Sequence, residues 1–521
     1  MTASTEPLLI DEVRPSRYDR VMERIRASPV ASRRLDVWAP VAVTLLAGVA
    51  RFWNLGHPDA IVFDETYYVK DAWAQWNLGY TANWPSGADD AFVAGDTDIF
   101  LNSGSFSVHP PLGKWLIGLG MWLFGASDPF GWRVAGAVFG TALVLLVYLV
   151  TRTLTRSTPV ATLAGFLMAI DGLAIVLSRV ALLDGFLAFF ILLSFWFVLF
   201  DQRRHASRLE RALAERAESR ADDDEPWWGP MLWNRPWLVA AGAAAGAATA
   251  VKWSGLYALA ALGLYVVATD MLARRRLRVT MWPIDGLRQG VVAFLYLVPV
   301  AFAVYLASWT GWLVTEGGYD RLSAAGDPAT GFWSWVPLPL QSLWTFHVAM
   351  YNFHVNLTTP HSYASPAIQW PVLLRPTSMY WNMDGDTVQA ISSIPNPLIW
   401  WAGVAAALFL LYLSIRTRTG AYAFVLTGVA ATYVPWLLYP ERTIFQFYTI
   451  AILPFLVIGL ALAARAIAGS ALPDRRLSGQ RVVWVFVVVA TLVSAFWYPV
   501  WTAIEVPYGF WRLHNWIPGW I

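Results

Sequence analysis

FGWRVAGAVFGTALVLLVYLVTRTL, Phe130–Leu154, holds no charged residue between Arg133 and Arg152. At the helical rise that uncharged run is about 28 Å long, close to the hydrocarbon thickness of a bilayer. It reads as a membrane-spanning helix. Similar windows lie on both sides of it: Val37–Leu55, Pro159–Leu177, Leu182–Phe200, Pro236–Val251, Gly255–Leu272, Gly290–Trp309, Pro397–Ile415, Ala421–Leu438, Ile444–Ala464 and Val482–Val500. The expected fold is an all-α polytopic membrane protein with about 11 spans of near 20 residues each. The windows between Pro236 and Leu272 are the least secure, since that stretch also accommodates one tilted helix and a re-entrant piece.

Composition supports this class. Of 521 residues 57% are hydrophobic and 14% charged, against about 25% charged in a typical soluble domain. Mean hydropathy is +0.47. A soluble globular enzyme and a long disordered chain are both excluded. Lys plus Arg (37) against Asp plus Glu (35) leaves +2, too balanced for a nucleic-acid partner. With no cysteine there is no disulfide, thiolate metal site or Cys nucleophile. The 31 tryptophans suit membrane interfaces, where an apolar ring carries one polar N–H.

Charge sets the expected organisation. Residues 1–36 are polar and Arg-rich and lack a signal peptide's apolar core, so they read as a cytoplasmic tail before an uncleaved first span. Threading the spans from there puts Arg152 and Arg156, Asp201–Arg220, Ala273–Arg278, Arg416–Arg418 and Asp474–Arg481 on the inner side, as the positive-inside bias requires. The boundaries follow: a membrane module 37–309 with a first outer loop 56–129, a second outer loop 310–396, a four-span-type module 397–503, and an outer tail 504–521. Two long Trp- and Pro-rich loops on one face point to function there.

The first loop carries HPDAIVFDETYYVKDAWAQW, in which Tyr68, Ala72, Trp73 and Trp76 recur at helical spacing. An amphipathic helix on the outer leaflet is expected. Asp64 is then either its N-cap, with Glu65 favourable to the helix dipole, or a catalytic carboxylate just outside the membrane. Adjacent carboxylates face different ways on a helix, so the two should have different jobs. Lys114 snorkels or binds a ligand. Arg51 and Arg133 lie at outer span ends, where the positive-inside bias does not explain them and an anionic ligand would. The tight turn AIDGLAIVLSRVALLDGF is expected to bring Asp171, Arg179 and Asp184 to the outer mouth, as an ion pair or a site. YPERTIFQFY adds Glu441 and Arg442, and the second loop adds TTPHSYASPAIQWPVLLRP. HExxH, Walker A and Rossmann signatures are missing, so nucleotide-driven and zinc-protease readings lack their parts. AAGAAAGAATA (240–250) reads as small-residue helix packing.

VFDETYYVKDA, HPPLGKWLIGLG and SRVALLDGF, in this order, resemble the protein O-mannosyltransferases, multi-pass enzymes of the GT-C fold. TTPHSYASPAIQWPVLLRP and RTIFQFYTIAILPF are similar to the bacterial, particularly actinobacterial, branch. The resemblance runs from about Leu45 to about Tyr498. It implies transfer of mannose from polyprenyl-phosphate-mannose to Ser or Thr hydroxyls of secreted or membrane polypeptides, during Sec translocation or after it, at the outer face of the plasma membrane. It implies catalysis by the acidic pair Asp64 and Glu65. Donor phosphate contacts are expected from Arg133, with Arg51, Lys114 and Arg179 as helpers, and substrate contacts from His109, Asp184, His361, Tyr363 and Arg442. It names no certain cofactor, and a divalent metal is left open. Eukaryotic members carry a β-trefoil MIR module in the later loop, which 310–396 is too short to hold, so acceptor selection should differ. Two rivals remain: a GT-C transferase acting on a lipid or glycan, and a transporter, which would need midplane charges on broken helices and an internal repeat.

The threading makes a direct prediction. In this Cys-free chain, cysteines placed at 65 and 363 should react with an impermeant thiol reagent in intact cells, whereas those at 211 and 275 should be shielded. Labelling at 211 would overturn the orientation.

Overall fold

The computed structural model describes residues 15–219 and 228–520; Arg14 and Arg220, expected in cytoplasmic segments, lie outside them. Eight helices among the described residues are long and apolar enough to cross a membrane, and a bent pair, Thr158–Ile170 with Gly172–Arg179, makes a ninth. The other two expected spans, Pro236–Val251 and Leu453–Ala468, have 16 residues each. At about 24 Å they fall short of the full hydrocarbon width. Both are sheltered. Every residue from Leu453 to Ala464 is buried, and Pro236–Val251 packs between Asp184–Ser219 and Trp282–Ser308. Pro236–Leu272 resolves into two helices meeting at Lys252–Ser254 rather than one helix and a re-entrant piece. The first membrane helix begins at Pro29, inside the segment expected as tail, and a separate helix, Arg17–Ala27, precedes it.

The small-residue stripe works as close packing. A Cβ on Gly242 would lie 2.7 Å from the Leu297 carbonyl oxygen, and one on Gly246 2.5 Å from that of Ala301. Only residues without a side chain allow the two backbones to approach so closely.

The bend of the third span is built by side chains. Backbone groups freed at a helix break inside a membrane protein must find partners within it. Arg51 donates to the carbonyls of Met168 and Ala169, which end the first half. Asp171 accepts from Ala174 N–H and caps the second half, and also accepts from Asn396 N–H at 3.0 Å. Asn396 in turn caps Pro397–Thr417 through its Oδ1 and donates to Ala490 O and Ser494 Oγ. Ser494 closes the ring by donating to Ile170 O. Asp171 is thus fully buried in the bend rather than at an outer mouth, and the same network ties the two membrane modules together.

The long loops are ordered and packed on each other. The helix Glu65–Leu78 lies against Leu112–Phe124, burying Tyr68, Val69 and Ala72 on that face. Phe106 of the first loop meets Tyr319, Phe346 and Phe353 of the second, with ring centroids 5.3, 5.6 and 6.0 Å away. The second loop also forms a hairpin, β1 (Ser378–Asp384) and β2 (Thr387–Ser392), to which β3 (Val506–Pro507) of the C-terminal segment adds antiparallel.

Gly246→Leu should therefore lower stability by about 1–3 kcal/mol or more through overpacking, read as a fall of the thermal midpoint in detergent. An unchanged midpoint would show that the helices are free to separate there.

Candidate active site

The acidic pair divides as helical geometry requires. Glu65 points inward and is fully buried. Its Oε1 accepts from Arg133 Nε at 2.9 Å and from Ala181 N–H at 2.8 Å, and its Oε2 from Arg133 at 3.0 Å and Val62 N–H at 3.0 Å. Arg133 uses its remaining donors on the carbonyls of Leu55, Pro58 and Ala60. The pair clamps the start of the loop helix to the helix Pro129–Thr155 and to the link after Arg179.

Asp64 occupies the N-cap position but makes no capping hydrogen bond. Its carboxyl is half-buried, and burial raises its pKa to about 6, with Lys252 pulling it down and Asp184 pushing it up. The residue before it, Phe63, has φ +48°, a left-handed conformation rare for a bulky side chain and costing of order 1–3 kcal/mol. Its ring sits edge-on to Phe447, Phe445 and His361, at 5.7, 6.1 and 6.5 Å. That aromatic seat holds the backbone kink from which Asp64 emerges.

Beside these residues lies a cavity of about 230 Å³. Its lining is mixed: polar and aromatic residues, His109, Asp184, Lys252, Trp253, His354, Arg442 and Tyr448, stand among apolar ones. Leu187 and Ile191 come from the helix Asp184–Ser219, on the face that also carries Asp184, and Ala431 from Gly420–Tyr433. Lys252, at the junction of two short-linked helices, donates to Asp184 at 2.7 Å and lies 5.0 Å over the Tyr448 ring. His354 donates from Nε2 to Val108 O at 2.7 Å, which leaves Nδ1 to accept from Arg442 at 2.9 Å. Burial, with Arg442 adding to it, lowers the His354 pKa to about 4, so its ring is neutral. His109 stacks on His354 at 5.2 Å, and burial holds its pKa well below the usual imidazole value. His109 Nδ1 and Arg442 Nε are buried without hydrogen-bond partners, which is costly unless a ligand completes them.

The expected residues fall into two groups. His109, Asp184 and Arg442 line this cavity; Asp64 is not among its lining residues and is linked to it through Lys252 and Asp184, whose charges act on its carboxyl. His361 and Tyr363 do not line it: His361 lies 4.9 Å from Phe445, with Tyr363 5.9 Å from His361. Arg51, Lys114, Arg133 and Arg179 do not line it. Arg179 donates to Arg51 O, Trp53 O and Asn54 O, closing the C-terminus of the first membrane helix. Lys114 is held by Ser107, His109 O and Asp71. Turning Arg133 toward a phosphate would strand buried Glu65, a loss of about 3–5 kcal/mol, against about 1.5–3 kcal/mol from a charged hydrogen bond. The existing pair wins. Lys252, His354 and Phe63 are additions to the expected set. Among the described residues no group of three or more His, Asp or Glu could hold a metal ion.

Glu65 and Arg133 should accordingly act on stability. Arg133→Ala should destabilise the protein by about 3–5 kcal/mol, seen as a large drop in thermal midpoint, and Glu65→Gln should recover part of it in the double variant. A stable Arg133→Ala protein with impaired donor binding would assign Arg133 to the ligand instead.

Comparisons with known proteins agree with this architecture. Residues 95–214 match the family described as Dolichyl-phosphate-mannose-protein mannosyltransferase, and residues 339–520 the C-terminal four TMM region of protein-O-mannosyltransferase. A polyprenol-phosphate-mannose–protein mannosyltransferase of Mycobacterium tuberculosis is 35% identical over 94% of this chain and 92% of its own length. The protein of that name from Corynebacterium glutamicum is 30% identical, covering 94% of each chain. Among solved structures, the S. cerevisiae protein O-mannosyltransferase Pmt1-Pmt2 complex bound to the sugar donor aligns with TM-score 0.69 at 16% identity, over 93% of this chain and 92% of that one. The oligosaccharyltransferase AglB from Archaeoglobus fulgidus aligns at TM-score 0.51 and 14% identity, over 89% and 56%. The fold is that of the GT-C membrane glycosyltransferases, and the chain belongs to the polyprenol-phosphate-mannose–protein mannosyltransferase family.

Proposed function

We propose that this chain transfers mannose from polyprenyl-phosphate-mannose to Ser or Thr hydroxyls of polypeptides at the outer face of the plasma membrane, with Asp64 as general base. The observation that carries the reading is the uncapped Asp64 carboxylate, raised to about 6 and acted on by Lys252 and Asp184, two residues that line a cavity of mixed cationic, aromatic and apolar character. A lipid phosphate suits that mixed lining, with its isoprenoid tail along Leu187, Ile191 and Ala431 and its phosphate toward Lys252 and Arg442. The acceptor enters from the Phe63, His361 and Tyr363 side, in reach of a chain emerging from Sec translocation.

In the reaction the hydroxyl oxygen attacks C1 of mannose while Asp64 takes the hydroxyl proton. The C1–O bond to phosphate breaks, and the electron pair leaves with the phosphate, whose added charge Lys252 and Arg442 stabilise. The attack is a single displacement and inverts C1. Asp184 holds the Lys252 ammonium in place, and Glu65 holds the backbone that presents Asp64. Neutral His354 orients Arg442 through its Nδ1. The N-terminus lies inside and the C-terminus outside. Since Glu65 is fully buried, Tyr67, 66% exposed on the same helix, is the better cysteine position for testing this orientation.

Asp64→Asn keeps size and fold, so turnover of labelled polyprenyl-phosphate-mannose with a Thr/Pro-rich acceptor peptide should fall roughly 100-fold or more. A carboxylate is a base only when ionised, so wild-type kcat/KM should rise with pH through about 6 and level off above it. Near-normal turnover in Asp64→Asn, or a flat profile through that range, removes Asp64 from the chemistry.

A further inference from the structure

The helix Arg17–Ala27, RYDRVMERIRA, has no buried residue. Ser16 Oγ accepts from Asp19 N–H at 3.0 Å and caps its start. Ser28 both ends it and begins the next helix: its N–H donates to Ile25 O at 3.2 Å, its Oγ accepts from Ala31 N–H at 3.3 Å, and Pro29 follows. A single residue therefore separates this helix from the first membrane helix, whose opening turns carry Arg33, Arg34 and Asp36 ahead of the apolar run from Val37.

Its faces are sharply divided. Tyr18, Val21, Met22 and Ile25 follow the i, i+3, i+4, i+7 rule and share one stripe. Arg17 and Arg24 border that stripe on one side and Arg26 on the other, while Arg20 lies away from it. Tyr18 is 39% and Val21 52% exposed. In Pro29–Phe52, Val30, Val37 and Trp38 are exposed as well. Asp19 is already engaged by Arg476 at 2.5 Å and Gln480 at 3.1 Å, which ties the helix to the start of Pro473–Trp501.

We propose that Arg17–Ala27 is an interfacial anchor that seats Tyr18, Val21 and Ile25 at the acyl boundary and binds anionic phospholipid headgroups through Arg17, Arg24 and Arg26. An apolar stripe framed on both edges by cations matches a surface that is apolar in its depth and anionic at its rim. The membrane helix that follows after one residue brings that surface within reach without any partner protein. The assignment is independent of the transfer chemistry.

The absence of native cysteine makes the test direct. The full-length protein carrying Val21→Cys or Arg20→Cys is labelled with an environment-sensitive fluorophore and placed in nanodiscs of phosphatidylcholine, with and without phosphatidylglycerol. The label at 21 should be quenched by a lipid-borne nitroxide in the anionic discs. That quenching should fall at least about twofold without phosphatidylglycerol or near 1 M salt, where screening acts within about 3 Å. The label at 20 should stay in water throughout. Replacing Arg17, Arg24 and Arg26 together by Gln should erase the lipid dependence while leaving the thermal midpoint unchanged. Three results overturn the proposal: a label at 21 that is aqueous in both discs, equal burial whatever the lipid and salt, or burial that appears only when a second protein is added.

Discussion

The Arg133 guanidinium spreads between both oxygens of Glu65 and three backbone carbonyls of residues 55–60, all out of water. Much of the site depends on this contact. An unpaired charge there would be prohibitive, so the loop helix can sit in only one rotation about its axis, the one that turns Glu65 inward. The neighbouring carboxylate is rotated by about a quarter turn or more from it. Asp64 is thereby directed away from the clamp, without a cap bond, and the charges of Lys252 and Asp184 act on its carboxyl. The clamp also accepts from Ala181 N–H, so the link leading into Asp184 is located by the residue that locates Asp64.

A second constraint works at the bend of the third span. Arg51 and Asp171 close the two sides of a break that lipid could not solvate, and Asn396 and Ser494 join that break to the C-terminal helices. The cavity draws its lining from both modules: Asp184 and Lys252 from one, Arg442 and Tyr448 from the other. Fixing the modules to each other fixes the distance across the cavity. The buried Arg51, Arg133 and Arg179 are engaged by the fold itself, whereas Lys252 and Arg442 line the cavity.

This division explains what could be read from residue order. The membrane helices were legible because hydropathy over some 20 residues is a local property. Asp64 stood out by its place in a motif on a loop. A cation at an outer span end such as Arg133 points to an anionic ligand, while the Glu65 carboxylate that it pairs with lies 68 positions away, beyond any local reading. Lys252 was passed over inside an apolar stretch, although a lone Lys before Trp253 and Ser254 at the junction of two windows was a usable signal. His347 and His354, seven residues apart, marked one face of a helix in the same way. Nothing in the residue types announced the left-handed Phe63; that conformation is imposed by Phe445, Phe447 and His361 from distant segments. The two 16-residue helices passed as full spans because apolarity does not distinguish a helix sheltered by protein from one facing lipid.

The central claim is that the lipid phosphate is bound by the cations that line the cavity, Lys252 and Arg442, and not by the buried arginines. Equilibrium binding of polyprenyl-phosphate-mannose to purified Arg442→Gln protein tests it most directly, with Arg133→Lys as comparison. Loss of a charge-assisted hydrogen bond of about 1.5–3 kcal/mol should weaken binding by roughly 10- to 150-fold in Arg442→Gln, while folded Arg133→Lys binds as the wild type does. Wild-type affinity in Arg442→Gln together with weakened binding in folded Arg133→Lys would contradict the account.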